Sequence, residues 1–86
     1  MAKISVTEAG PGTFVVVVEA QSTTQHRVDV EADYAERIAP GVEAAELVRR
    51  SFEFLLEREP NTSILAQFEL PVIGRYFPEY ERVIGE

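Results

Sequence analysis

The chain contains few side chains that could carry out catalysis or bind a metal ion. Its single histidine, His26, alternates with Val28 and Val30, so it belongs to the apolar side of a predicted strand. A histidine there can act as a general base or a metal ligand, or it can be a partly buried or solvated strand residue. Because the chain has no cysteine and no second histidine, a transition-metal site would need carboxylates alone. We therefore expect no catalytic residue, no metal and no cofactor.

An unbroken run of apolar residues indicates a binding surface instead. Residues 13–19 read TFVVVVE, and a strand that is apolar on both faces usually has both faces covered. If alternate residues of the run face the protein core, Val15 and Val17 point to the other side. We predict that these valines, with Arg27 on the next strand, form the interface of a homodimer or of a contact with another protein. Alternatively, the valines are partly exposed between the aliphatic carbons of Thr7 and Arg27.

The C-terminal third contains a second candidate surface. Four aromatic side chains occur there among prolines: Phe68, Tyr76, Phe77 and Tyr80. Such residues can form a ligand-binding or protein-binding surface. They can equally complete a small hydrophobic core by packing on a preceding helix, and the two interpretations remain open.

The elements that must position these residues begin with strands. Apolar and polar residues alternate over residues 3–7 and again from His26 to Glu31, with the apolar run between them. The sequence Gly10-Pro11-Gly12 is typical of a hairpin turn, and residues 21–25 form a polar connector. The pattern predicts a three-stranded antiparallel meander over residues 2–31.

The remaining residues, 32–86, predict helices. We expect a short helix with Asp33 as its N-cap, a long helix from about Glu43 to Glu59, a shorter one containing Ile64, Leu65 and Phe68, another after Pro71, and a last turn from Pro78 through Ile84. The predicted fold class is α+β: residues 1–86 form a single domain, with one long and several short helices packed on one face of the sheet.

Charge and hydropathy exclude several partners. The formal net charge is −7 and the isoelectric point is near 4.6, and no cluster of basic residues could displace counterions from phosphates. We therefore expect no nucleic-acid partner. No stretch of about 18 apolar residues is present and the first residues lack the apolar core of a signal peptide, so we expect no membrane partner. The absence of cysteine favours a cytoplasmic location.

Two resemblances add to this interpretation. The sequence FEFLLEREP over residues 52–60, followed by SIL at 63–65 and IGRYFPEYE at 73–81, resembles a family of small uncharacterised bacterial proteins. That resemblance implies no activity, substrate or catalytic residue.

The order of a strand from His26 to Glu31, a short helix, a glycine-containing turn and a longer helix is similar to ribbon-helix-helix repressors and antitoxins. In that family, outward side chains of the ribbon read DNA bases and the unit is an intertwined dimer. The corresponding positions here are Arg27, Asp29 and Glu31.

Three functions follow as hypotheses. The residues predict a non-enzymatic protein–protein interaction module that acts as a homodimer, through the second face of the sheet or through its edge. The second resemblance implies an alternative, a ribbon-helix-helix-like DNA-binding regulator or antitoxin. A third hypothesis is a small-ligand binder or minor enzyme that uses His26 or the C-terminal aromatic residues.

Overall fold

Four strands and four helices make up residues 2–85, the part of the chain that the computed structural model describes. In chain order they are β1 (Lys3–Gly10), β2 (Thr13–Glu19), β3 (Thr23–Asp29), α1 (Ala32–Ile38), α2 (Ala44–Leu56), a 3-10 turn (Asn61–Ser63), β4 (Gln67–Glu69), α3 (Val72–Tyr76) and α4 (Tyr80–Ile84). The predicted α+β class is therefore confirmed.

The first three strands form the antiparallel meander that the sequence predicts. Val6 pairs with Val16, which pairs with His26 on its other side. The turn between β1 and β2 requires glycine at Gly12, whose φ is +73°. A Cβ atom on Gly12 would lie 2.8 Å from the carbonyl oxygen of Val30. Both backbone conformation and space therefore exclude a side chain at this position.

The third strand begins and ends earlier than predicted. β3 runs from Thr23 to Asp29, whereas the apolar pattern predicted a strand from His26 to Glu31 and a connector over residues 21–25. The difference arises because two inward positions of β3, Thr24 and His26, are polar. A search for alternating apolar residues does not detect such a strand.

A fourth strand, which the sequence did not predict, makes the sheet mixed. The predicted helix containing Ile64, Leu65 and Phe68 is wrong: the 3-10 turn is followed by extended backbone, with Ile64 at φ −76° and ψ 136°. β4 then pairs in parallel with β3, placing Phe68 beside Val28. The strand order is β1-β2-β3-β4, so β1 and β4 are the two edges.

The helices pack on one face of the sheet, as predicted. The inward side chains of β2 and β3 join those of α2 in a single apolar cluster, whose most completely buried members include Val16, Val18, Val28, Leu47, Val48 and Phe52. Phe54, on the flank of the main apolar stripe of α2, is buried as well. The apolar face of this helix is therefore wider than a single stripe.

The bounds of the first two helices differ from the prediction. α1 has Glu31 at its N-cap position, so Asp33, the predicted cap, lies in its first turn. α2 ends at Leu56, three residues before the predicted end.

The exposed side of α2 carries ion pairs. Glu46 accepts hydrogen bonds from Arg49 at 2.6 Å and from Arg50 at 2.9 Å. These bonds, from Arg49 first and Arg50 second, lower the pKa of Glu46. The Glu46–Arg50 pair has the i,i+4 spacing favourable for exposed helical ion pairs.

The last two helices close the end of the core. α3 follows Pro71 and α4 falls within residues 78–84, both as predicted. α4 is linked to α1 by the hydroxyl of Tyr34, which donates to the Glu81 carboxylate at 2.8 Å. Burial, reinforced by Glu81, raises the pKa of Tyr34. Within residues 2–85, none of the helices combines the length and the apolar character that a membrane crossing requires.

Candidate functional site

His26 is a buried structural residue with both ring nitrogens hydrogen-bonded. Its side chain is 2% exposed, and its ring lies 5.3 Å from that of Phe52. Nδ1 is 2.8 Å from the carbonyl oxygen of Leu65, and Nε2 is 2.8 Å from the Thr24 hydroxyl. Since a carbonyl only accepts, Nδ1 donates to Leu65; in the neutral ring Nε2 then carries no proton and accepts from the Thr24 hydroxyl. Neither nitrogen is left to accept a substrate proton or to bind a metal ion.

Asn61 continues this set of hydrogen bonds into the β2–β3 hairpin. Its side-chain amide donates to the Thr24 hydroxyl at 2.9 Å and to the Ser22 carbonyl at 3.0 Å. Asn61 is itself buried. The 3-10 turn after α2 is thereby fixed against the hairpin.

The same hydrogen bonds determine where the chain runs after the 3-10 turn. The bond from His26 holds the carbonyl of Leu65, and the next carbonyl, of Ala66, accepts from the Arg27 amide at 2.8 Å. The amide of Leu70 donates to the Asp29 carbonyl at 3.0 Å. These contacts place β4 along the edge of β3.

An apolar groove of about 260 Å³ lies beside β4. The end of α2, the segment leading into β4 and α3 form its walls, which include Leu55, Ile64, Leu65, Phe68, Val72 and Tyr76. Glu59 is the one charged side chain of the lining. The groove is therefore a mostly apolar surface with a single carboxylate.

Two of the large side chains that line the groove are exposed to solvent. Leu65 is 47% exposed and Tyr76 is 67% exposed, and among residues 2–85 these are the two large hydrophobic side chains classed as exposed. Single exposed hydrophobic side chains are ordinary on a protein surface, but two large ones at the same concave site indicate a binding surface. This groove is the strongest candidate functional site of the described chain.

The four C-terminal aromatic residues divide between the core and the groove. Phe68 and Tyr80 are buried, Phe77 is half-buried and Tyr76 is exposed. Phe68, Tyr76 and Phe77 line the groove, whereas Tyr80 does not. Packing in the core therefore applies to Phe68 and Tyr80, and a binding role for the aromatic side chains at the groove stays a prediction.

Tyr80 is held in the core by a hydrogen bond to α2. Its hydroxyl is 2.6 Å from Ser51 Oγ, which donates to the Leu47 carbonyl at 2.7 Å, so Tyr80 is the donor to Ser51. Burial raises the pKa of Tyr80 to about 12. The Tyr80 ring also packs edge-on against Phe54 at 5.3 Å.

The predicted interface lies on the face of the sheet that the helices do not cover. We call this the open face; its central residues are Ser5, Thr7, Val15, Val17, Gln25 and Arg27. Val17 lies between Ser5 and Gln25 in the register, and Val15 between Thr7 and Arg27. Both valines are half-buried, and Arg27 is exposed. The structure thus brings the three predicted residues together in one surface.

Sequence reasoning singled out three aromatic residues of the groove, Phe68, Tyr76 and Phe77, but not the groove itself, because it missed β4. The alternation of polar, apolar and polar side chains over residues 67–69 was the available signal, but three residues are too few for a periodicity argument. Glu59 and Leu65 belong to the groove only because of how the chain turns after α2.

As for metals, residues 2–85 contain no group of three or more histidine or carboxylate side chains that could hold an ion.

Comparisons with known proteins give no further assignment. No protein-family model matches the chain, and no similar curated protein or solved structure is found.

Proposed function

We propose that the protein is a non-enzymatic interaction module of the cytoplasm and that two copies of the chain associate through their open faces to form a homodimer. The observation that carries the proposal is the position of Val15 and Val17 at the centre of this face. Each valine is half-buried beside residues of the neighbouring strands, so a part of its side chain still meets water. Covering such surface by a second copy is favourable because apolar area leaves water.

The charge distribution supports a second copy as the occupant. The chain carries a net charge of −7, so most faces of two molecules repel each other. In the centre of the open face, Arg27 is the only charged side chain, and Lys3, Glu19 and Asp29 lie further along the strands. Two copies packed face to face can therefore pair arginines with carboxylates at the rim.

The size of the face limits the strength of this association. Strands of seven residues spaced about 4.8 Å apart give a flat area of about 400 Å² per copy. That is about half of the roughly 800 Å² that each partner contributes to a standard stable interface. We therefore expect a dissociable dimer with a Kd of about 10–100 μM.

The proposal that the protein is not an enzyme is based on the environment of His26. A general base needs a nitrogen that can reach a substrate proton. Both nitrogens of His26 are bonded within the fold, to Leu65 and Thr24. The third hypothesis, a site built on His26, is therefore not favoured.

The ribbon-helix-helix alternative is not favoured either. The order of a strand and two helices is present in β3, α1 and α2. However, β3 pairs with β2 on one side and with β4 on the other. β4 covers this edge at Arg27, Val28 and Asp29, which include two of the three ribbon positions, so the ribbon strand of a second copy cannot pair there.

Sedimentation velocity between about 1 μM and 1 mM tests self-association. We expect the average mass to rise with concentration, and Val17→Glu to keep the protein monomeric because it places two buried carboxylates in the interface. Ala45→Glu, on the exposed side of α2, adds the same charge away from the open face and should still dimerise. A wild-type protein that stays monomeric throughout would refute the proposal. A dimer unaffected by Val17→Glu would place the contact at a sheet edge instead.

A further inference from the structure

The outer edge of β4 has unpaired backbone groups. On its inner side, the Ala66 carbonyl and the Leu70 amide are bonded to β3. Because backbone groups alternate in direction along a strand, the N–H and C=O groups of Gln67 and Glu69 point outward. Within residues 2–85, no bond outside the regular ladders uses these four groups. The edge can therefore accept another strand.

The apolar groove lies where the side chain of such a strand would point. Phe68 projects toward the helices, as its partner Val28 does. A residue opposite Phe68 on an added strand, about 4.8 Å further out, would project to the same side. Phe68, Leu65 and Val72 line both the groove and a shallower depression along β4. The edge and the groove therefore form one continuous surface.

We infer that the edge of β4 and the adjoining groove bind an extended peptide segment of a partner protein, which adds a fifth strand and inserts one apolar side chain between Leu65 and Tyr76. Strand addition is an established mode of peptide recognition, in which backbone bonds give affinity and pockets select alternate side chains. The groove lies on the helix side of the sheet, opposite the open face, so the inference does not depend on self-association.

The dimensions of the groove favour a single side chain over a small-molecule ligand. Its volume, about 260 Å³, falls below the range of roughly 300–1,000 Å³ typical of small-molecule sites. Apart from Glu59 and Ser63, its lining offers few polar groups to orient a ligand. In a strand-addition complex, the backbone of Gln67 and Glu69 supplies that orientation instead.

Charge indicates what should flank the apolar residue of the peptide. Glu69 projects from β4 toward the open-face side, and Glu59 lies at the groove. In the described part of the chain, neither carboxylate makes an ion pair. Lysine or arginine next to the inserted residue would lie near Glu69, and the overall charge of −7 would attract such a peptide. The partner segment is therefore basic, with an apolar residue between cationic ones.

The probe is a capped seven-residue peptide in which one leucine stands between two lysines, flanked by threonine and glycine. An NMR titration of ¹⁵N-labelled protein should give a Kd of about 10 μM to 1 mM. We expect the largest changes in amide chemical shift at Leu65, Gln67 and Glu69. The amide hydrogens of Gln67 and Glu69 should also exchange with solvent more slowly when the peptide is bound. The same peptide N-methylated at its three central amides should bind at least tenfold more weakly, and so should a version with glutamates for lysines.

Protein variants locate the site. Leu65→Ser and Tyr76→Ser change exposed side chains and should each weaken binding about tenfold while leaving the Tm unchanged. Val17→Ser, on the open face, should bind the peptide as the wild type does. If the open-face proposal fails and the peptide still binds, only self-association is lost, so the two proposals are tested separately.

Four results would overturn the inference. They are no binding at 2 mM peptide, equal binding by Leu65→Ser, equal binding of the N-methylated peptide, and equal binding of the glutamate peptide. In addition, concentration-dependent shifts at Gln67 and Glu69 without peptide would identify a second copy as the occupant.

Discussion

Replacing His26 with phenylalanine tests the role of the buried hydrogen bonds in positioning β4. The substitution keeps an aromatic ring near Phe52, whose centroid lies 5.3 Å from that of His26. It removes the donor to Leu65 and the acceptor for Thr24, both at 2.8 Å. The change in stability therefore reports the loss of the two hydrogen bonds, because an aromatic ring is still packed at this position.

The expected magnitude follows from those two bonds. Each contributes about 0.5–1.5 kcal/mol net to stability, and a polar group left unpaired in the interior costs somewhat more. We expect His26→Phe to lower the free energy of unfolding by about 2 kcal/mol. With a urea m-value of about 1 kcal/mol/M for a chain of this size, the midpoint should fall by about 2 M.

A local measurement distinguishes loss of the β4 contact from general destabilisation. Hydrogen exchange of the Arg27 and Leu70 amides reports the bonds to Ala66 and Asp29 that hold β4. We expect exchange at these two amides to accelerate in His26→Phe by more than the change in global stability explains. Amides in the centre of β2 should follow the global change only.

Thr24→Val is the matched control, because it removes the hydroxyl and keeps the branched shape. Its effect and that of His26→Phe should not add, since both variants remove the bond between Thr24 and His26; the double variant should be about 1 kcal/mol more stable than the sum implies. The reasoning is refuted if His26→Phe changes stability by less than about 0.5 kcal/mol, or if the Arg27 and Leu70 amides exchange as in the wild type.

Two further predictions concern the core and the first turn. Burial raises the pKa of Tyr80 from 10.0 to about 12, so as the pH rises the tyrosine loses its proton in the unfolded chain before it does in the folded one. The free energy of unfolding should therefore be constant in this respect below pH 10 and fall by about 2–3 kcal/mol as the pH rises to 12. Urea titrations of Tyr80→Phe should lack that part of the fall; an equal alkaline slope would show that Tyr80 does not cause it. Gly12→Ala forces a side chain into a positive φ and against Val30, which should cost about 1–3 kcal/mol. Calorimetry should show a lower Tm for this variant and little change for Gly10→Ala, whose added methyl meets nothing within 4 Å.

Elements with a strong local pattern were predictable from the sequence. The apolar run at residues 13–19 gave β2, and the spacing of Leu47, Phe52 and Leu55 gave α2. Gly12 gave the turn between β1 and β2. In each of these elements, residues close together in the sequence carry the signal. The apolar side chains of β2 and α2 that define the pattern are also the ones buried in the core.

The β3–β4 region was not predictable in this way because its interior is polar. The buried His26 and Asn61 are acceptable there only because they hydrogen-bond to the half-buried Thr24 and to backbone carbonyls. No local pattern shows that these partners meet. The positions of Ile64, Leu65 and Phe68 even fit one face of a helix, although the backbone there is extended.

The candidate site was predictable only in part. Val15, Val17 and Arg27 do share one surface, because that grouping depends on strand alternation alone. The groove depends on the path of the chain after α2, which long-range hydrogen bonds determine. Of its two exposed side chains, Tyr76 belongs to the aromatic group that the sequence singles out, whereas Leu65 has no special feature in the sequence.

The parallel pairing of β3 with β4 has a consequence for the order of folding. Arg27 and Gln67 are partners although forty residues separate them in the chain, whereas the two hairpins close over a few residues. Closing the longer loop costs more chain entropy before any contact compensates for it. We therefore expect β4 to associate after the meander has formed, so that in a growing chain on a ribosome the β4 side of β3 stays uncovered until residues 67–69 have emerged.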